Sequence, residues 1–533
     1  MNTFTMRMYT ALRVCVGAGI AMCGCPVLLA AENGPVVSIA SGQVRGEVTG
    51  SVAAFKGIPF AQPPVGALRW RPPQAPIPWH DIRAALRYGP DCMQVPFPGD
   101  AAPLGVRPAE DCLYLNVWTP AQFRGRKLPV MVWIYGGGFV NGGSSPPVYD
   151  GSAFARDGVV LVSFNYRLGS FGFFAHPALS AEQSGGPLGN YGFMDQIAAL
   201  KWVQRNAARF GGDRHNVTVF GESAGGMSVN TLLTSPLATG LFQKAIIESG
   251  AGRPGLMSAR KLRGTPDSAE TKGLALAHSF GIEGNGADAL AKLRAIPAPT
   301  LLGNLNMATM GANPNYVGGP IEDGMLNVGS PTALYAAGKA QKVPLIVGAN
   351  SMDIGFMRAR TLDELFTQFG VNAAAARAAY APDPATPVGA AASRAGGDLM
   401  MIEPAREIAR LLSVHQPVFE FRFSYVAESL RATTPGAPHA TEIPYVFDTV
   451  AARYGKDLTA ADEAAAKAVH AYWVGFATTG VPQAPDYPPW PAYQPRSDQI
   501  MDFTAKGPVV GPDPWKARMD LAQGLNDSRE AGH

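Results

Sequence analysis

The sequence predicts an α/β protein with a mostly parallel central sheet flanked by helices and with helical insertions over one end of it. Short apolar, β-branched runs alternate with helix-length segments along the chain, the pattern of strands buried on both faces. One such run, Val217–Phe220, breaks into Gly221-Glu-Ser-Ala-Gly-Gly226 and gives way to a helix-like run from Met227 to Leu233. A strand, a Gly-x-Ser-x-Gly turn and a helix in that order form the setting of a nucleophile elbow. The third observation is composition: 533 residues, 47% hydrophobic and 16% charged, provide for a large packed core.

Taken in order, the chain opens with its own signal. Arg7 and Arg13 precede an apolar stretch, Val14–Ala31, after which Glu32-Asn33-Gly34 is polar. A basic start, a short apolar core and small residues at its end predict a secretory signal peptide over residues 1–31. Gly and Pro interrupt the run, which argues against a membrane anchor. Met22-Cys23-Gly24-Cys25 has some likeness to a lipoprotein cleavage site. The prediction is a secreted or periplasmic protein, with lipid anchoring as the alternative and no membrane span in the mature chain. Three of five cysteines fall in this segment, leaving Cys92 and Cys112. In an exported protein they form one disulfide or remain two buried thiols, and the compartment favours the first.

Val36–Ala40 and Gln43–Val48 predict a small hairpin across Ser41-Gly42. Prolines crowd Ala54–Pro73, so this stretch is predicted to lack regular structure and run extended over the surface. Apolar strands are predicted at Asp111–Trp118, Leu128–Tyr135, Val159–Asn165, Lys244–Glu248, Val343–Asn350 and Val418–Phe423. Tyr191–Arg209 predicts an amphipathic helix, and Ala461–Phe476 an Ala-rich one. Ala251–Gly318 has no clear strand and reads as a helical insertion above the sheet. With no repeat and no low-complexity linker, residues 32–533 are predicted to be one catalytic domain.

The net charge of +3 is near balance, and no basic stripe with interleaved aromatics occurs, which argues against nucleic-acid binding. No His/Cys cluster has zinc spacing, and no cofactor or metal is expected.

A serine needs a base, and the base an orienting carboxylate. His278, His415, His439, His470 and His533 lie downstream of Ser223. His439 sits in the loop Thr433–Phe447 beyond the Val418–Phe423 strand, where a base belongs. His470 falls within a predicted helix, as a packing or surface residue. Asp353 follows the strand Leu345–Val347 and ranks above Asp323, which sits in a turn-like Asp-Gly. Gly136-Gly137-Gly138 follows an early strand, and glycine alone lets main-chain N–H groups approach a developing oxyanion this closely. Gly137 and Gly138, with the amide of Ala224, are the candidate oxyanion donors. No Gly-Lys-Ser/Thr follows the glycines, so a phosphate cradle is unsupported.

Gly221-Glu-Ser-Ala-Gly-Gly226, Glu110-Asp-Cys-Leu-Tyr-Leu-Asn-Val-Trp118 and Phe55-Lys-Gly-Ile-Pro-Phe-Ala-Gln-Pro-Pro64 resemble the signatures of the type-B carboxylesterases. The resemblance extends through Asn165–Gly169, Met194–Val203 and Trp473–Gly480. It implies an α/β-hydrolase fold, a Ser-acid-His triad and ester hydrolysis through an acyl-enzyme. It also implies pairing of Cys92 with Cys112, ion pairs Arg69–Glu110 and Arg167–Asp195, and a buried Glu222 that helps organise the site. Two positions depart from the family. Asp353 stands where a glutamate is usual, one methylene shorter, and Tyr135 replaces the usual histidine before the glycine run. No tryptophan lies between Cys92 and Cys112 to hold a quaternary ammonium, which disfavours choline esters.

The sequence therefore predicts a serine carboxylic ester hydrolase acting on a small-molecule ester. The alternatives are a binding protein on an inactive hydrolase scaffold and, among enzymes, a lipase or amidase.

Overall fold

The computed structural model describes residues 34–254 and 259–531. The expected signal peptide, Cys15, Cys23, Cys25 and His533 lie outside them. Its strands are β1 (Val36–Ile39), β2 (Gly42–Arg45), β3 (Glu47–Thr49), β4 (Val52–Pro59), β5 (Ile82–Ala84), β6 (Tyr114–Pro120), β7 (Leu128–Ile134) and β8 (Val160–Phe164). They continue with β9 (Gly212–Glu222), β10 (Lys244–Glu248), β11 (Arg260–Lys261), β12 (Ile321–Glu322), β13 (Leu345–Asn350), β14 (Val418–Phe423), β15 (Gln499–Thr504) and β16 (Gly507–Pro512).

The 11-stranded sheet runs β16-β15-β14-β13-β10-β9-β7-β8-β6-β4-β3. From β8 through β15 every neighbouring pair is parallel. Antiparallel pairs finish both ends, β15–β16 on one side and β8–β6–β4–β3 on the other. Parallel strands need both faces covered, and β7, β8, β10, β13 and β14 are buried along their whole length. The helices Tyr191–Asn206, Ala224–Thr234, Glu403–Leu412 and Ala460–Thr479 lie among the covering elements. One core cluster links the sheet to them through Trp118, Trp133, Trp202 and Trp473, each at most 2% exposed. Burying an aromatic of this size contributes about 1.5–3 kcal/mol.

Local chemistry fixes the helix ends. Thr459 accepts from the Asp462 N–H while Asp462 accepts from that of Thr459, a reciprocal cap. Gly480, at φ +82°, closes the same helix in the left-handed region that glycine tolerates.

The proline-rich stretch departs from expectation. Val52–Pro59 is a strand of the main sheet, with Phe55 and Ile58 fully buried. Its prolines begin only at Pro59, so the N–H groups that pair with β6 are intact, and a register shift between Phe55 and Ile58 absorbs the bend. The elbow strand is longer than predicted, and its helix starts at Ala224 rather than Met227. The helix beginning at Tyr191 ends at Asn206, with a single 3₁₀ turn beyond it. In the insertion, helices form at Ala269–Ser279, Ala287–Ala295 and Ala298–Leu302, and β11 pairs with β12.

Cys92 and Cys112 form a disulfide with a sequence separation of 20. Both resemblance-implied ion pairs form: Arg69 makes two contacts with Glu110, the longer at 2.8 Å, and Arg167 is bidentate to buried Asp195 at 2.8 Å. A loop of this length predicts that Cys92→Ser/Cys112→Ser destabilises the fold by about 3 kcal/mol. Denaturant unfolding of the oxidised protein against the double variant checks this.

Candidate active site

The elbow forms at the carboxyl end of β9, near the centre of the parallel strands. Ser223 adopts φ 55° and ψ −123°, a sparsely populated conformation for a residue with a Cβ. Holding it there costs on the order of 1–3 kcal/mol, tolerable only where the surroundings over-determine it. Here they do. The Ser223 N–H donates to the Glu248 carbonyl at 2.9 Å, and the Ser223 carbonyl accepts from the Met227 N–H at 2.8 Å. A Cβ on Gly225 would lie 1.9 Å from the Ile134 carbonyl oxygen, and one on Gly221 would lie 2.6 Å from the same atom. Both glycines are therefore required by close approach of β7. Ala224 opens the helix, so its N–H has no partner within that helix and is available to an anion.

The loop after β7 faces the elbow. A Cβ on Gly136 would meet the Glu222 Oε2 at 2.7 Å and the Ser223 Cβ at 2.9 Å. Gly137 and Gly138 have φ of +102° and +61°. The Gly137 carbonyl accepts from the N–H groups of Val140 and Asn141 at 3.1 and 2.9 Å, which closes the turn. Tyr135, in place of the usual histidine, stacks on Tyr166 with centroids 4.5 Å apart. The Tyr166 hydroxyl donates to the Tyr135 carbonyl at 2.9 Å, and the Tyr166 N–H to the Tyr135 hydroxyl at 3.2 Å. That stacked pair holds the entry to the glycine loop. Met307 and Met310 of the insertion stand over Gly138, each 3.6 Å from where a Cβ there would be.

Asp353 lies just beyond β13 and is 4% exposed. Its Oδ1 is 2.6 Å from His439 Nδ1, and its Oδ2 accepts from the Ser249 hydroxyl at 2.6 Å and the Asn350 N–H at 2.9 Å. The shorter acid reaches because the two loops are tied together: the Met352 N–H donates to the Ala437 carbonyl at 2.9 Å, and the Ala437 N–H to the Ser351 hydroxyl at 2.9 Å. His439 Nε2 faces Glu222 Oε1 at 3.2 Å, beside the elbow serine. Asp323 sits elsewhere. It accepts from the N–H groups of Leu188, Leu326 and Asn327 at 3.0, 3.0 and 2.9 Å and organises a turn. His470 is a packing residue, its Nδ1 2.7 Å from the Val446 carbonyl, and His278 is exposed beside Glu283.

Electrostatically the site is a nest of buried carboxylates around one imidazole. Burial raises Glu222 well above the usual carboxylate range, with His439 opposing and Glu442 and Asp353 adding. Burial also raises Glu442 to about 7, reinforced by Asp353. For Asp353 burial pushes up, but His439, Ser249 and the Asn350 N–H outweigh it and hold the group below its ordinary value. For His439 burial pushes down, yet Glu222 and Asp353 prevail and the imidazole is raised to about 10. Glu222 and His439 thus compete for a proton, and the direction for the imidazole is upward because it faces a carboxylate at each ring nitrogen.

Ser249, Glu442 and Asn350 were missed in the sequence. Asn350 donates to Glu442 at 2.5 Å and to the Pro438 carbonyl at 2.6 Å. Adjacency to a strand end hints at Ser249 and Asn350, whereas Glu442, at the start of the helix Ile443–Val446, carries no such signal.

This fold and geometry define an α/β-hydrolase with its polar groups gathered at the carboxyl ends of parallel strands. The carboxylesterase family model matches residues 33–518. The fumonisin B1 esterase of Sphingopyxis macrogoltabida is 39% identical over 90% of this chain and 88% of its own length. The para-nitrobenzyl esterase of Bacillus subtilis (strain 168) is 35% identical over 88% and 94%. A solved PNB esterase structure superposes with a TM-score of 0.77 at 32% identity, covering 92% of this chain and 99% of that one. The chain belongs to the carboxylesterase family and is a serine ester hydrolase.

Proposed function

We propose that Ser223 is the nucleophile, His439 the general base and acid, and Asp353 the residue that orients and stabilises His439. Ser223 Oγ attacks the ester carbonyl while His439 Nε2 takes its proton. The N–H groups of Gly137, Gly138 and Ala224 hold the oxyanion, and the proton then passes to the departing alcohol. Water enters along the same route and releases the acid from the acyl-enzyme. The observation that carries this reading is the 2.6 Å Asp353–His439 contact, with the opposite ring nitrogen 3.2 Å from Oε1 of Glu222, the residue before Ser223.

The substrate class we propose is a small-molecule ester without a quaternary ammonium. Support comes from the methionines over Gly138 and from the lack of a tryptophan between Cys92 and Cys112. Thioethers adapt to varied apolar shapes. We further propose that residues 32–533 act as one catalytic domain and that the protein is exported, supported by the N-terminal composition and the disulfide. The test is a panel of 4-nitrophenyl esters with stoichiometric inhibition by an organophosphonate. A protein that neither hydrolyses them nor reacts with the phosphonate has the scaffold without the chemistry.

Glu222 predicts a pH effect. A carboxylate beside Nε2 stabilises the imidazolium, so its removal lowers the His439 pKa. The base works only when neutral, so the acid limb of kcat/KM moves to lower pH in Glu222→Gln. A profile with a neutral ester checks this, and a limb that stays put or moves up contradicts it.

A further inference from the structure

We infer that Gln94 is a positioning residue for the oxyanion loop, an inference that rests on the reading of Gly137 and Gly138 as oxyanion donors. Three consecutive glycines have more backbone freedom than any other sequence, yet donors must be held to about 0.5 Å to serve a transition state. The order has to come from outside the loop. On its entry side Tyr135 and Tyr166 supply it. On its exit side the partner is the irregular segment Asp91–Val95, which is tied down by the Cys92–Cys112 disulfide.

Gln94, 4% exposed, uses both halves of its amide on Gly142. Its Nε2 donates to the Gly142 carbonyl at 2.6 Å, and its Oε1 accepts from the Gly142 N–H at 2.9 Å. One side chain thus imitates the paired backbone groups of a neighbouring strand. Gly142 cannot shift aside, since its own φ is +107° and a Cβ there would lie 2.5 Å from the Tyr135 ring and 2.6 Å from the Gly136 carbonyl oxygen. The same Oε1 accepts from the Asn141 Nδ2 at 3.1 Å, and the same Nε2 donates to the Cys92 carbonyl at 3.0 Å.

Asn141 passes the restraint on. Its N–H closes the turn onto the Gly137 carbonyl, its Nδ2 also donates to the Val95 carbonyl at 2.8 Å, and its Oδ1 accepts from the Met307 N–H at 2.8 Å. A shift of Gln94 therefore reaches the peptide of Gly137 through two hydrogen bonds, and reaches the methionine wall through a third. Only an amide of this length offers a donor and an acceptor together. Glutamate at physiological pH offers acceptors alone and would set a carboxylate oxygen against two carbonyls.

The variants are Gln94→Glu and Gln94→Met, the second of similar size and without a buried charge. Active sites are titrated with the phosphonate, so that kcat refers to folded protein. In both, kcat for a 4-nitrophenyl ester falls by about 10- to 100-fold, less than the loss of a whole oxyanion donor. KM stays within about threefold, the mark of an interaction made in the transition state. Affinity for an aliphatic trifluoromethyl ketone, whose hemiketal oxyanion occupies the same donors, falls by the factor seen in kcat. A merely structural role predicts a lower Tm with kcat per titrated site and ketone affinity unchanged, and that result overturns the inference. If the wild-type protein binds neither ketone nor phosphonate, the hydrolase reading itself has failed, an outcome distinct from a silent Gln94.

Discussion

Ser223→Ala is expected to lower turnover of an activated ester by on the order of 10⁶-fold while leaving the fold intact. The size follows from the interdependence of the parts. Without the hydroxyl, His439 has no proton to move and the oxyanion donors have no covalent adduct to stabilise, so losing the serine costs what losing the whole apparatus costs. What remains is the weak assistance of the N–H groups to attack by water. The fold survives because the restraints on the elbow are backbone ones: the Ser223 N–H to Glu248 and the Ser223 carbonyl to Met227 do not involve the side chain. The check is kcat with a 4-nitrophenyl ester beside a thermal unfolding curve. Wild-type turnover in the variant would remove Ser223 from the mechanism.

The second large effect is expected at the acid. Asp353→Asn keeps the shape but turns an acceptor of the His439 N–H into a group that can donate, favouring the wrong tautomer, with a loss of about 10⁴-fold in kcat. The surroundings sharpen this. The carboxylate accepts from Ser249 and the Asn350 N–H through Oδ2 and holds His439 through Oδ1, so the amide must misplace one contact or the other. Asp323→Asn serves as the control. It lies in a turn and should change kcat little, while relaxing the loop near Leu188. An equal or larger loss at Asp323 would contradict the assignment of the acid.

The elbow was legible because its chemistry is local: the steric need for Gly221 and Gly225 and the change from strand to helix occur within a dozen residues. Asp353 and His439 were legible for a related reason, since each follows a strand whose apolar run is plain. The glycine run after β7 was legible on the same ground. What holds these groups was not. Gln94 and Asn141 meet across 47 positions, and Ser249 and Asp353 across 104, so no local period marks them. β4 was hidden because the prolines from Pro59 onward dominated the reading of a segment whose first residues, Val52–Phe55, are all buried. β15 and β16 lie beyond the last strand expected from sequence, where Gln499–Pro512 mixes buried and half-exposed positions without a continuous apolar run.

The reaction assigned to this site is tested most directly by labelling the protein with a fluorophosphonate and mapping the adduct by peptide mass spectrometry. One adduct per chain is expected, on the peptide that carries Ser223, formed at a rate that falls when His439 is replaced by glutamine. An adduct on a different residue, or no adduct on a folded protein, would contradict a mechanism in which Ser223 is the nucleophile and His439 its base.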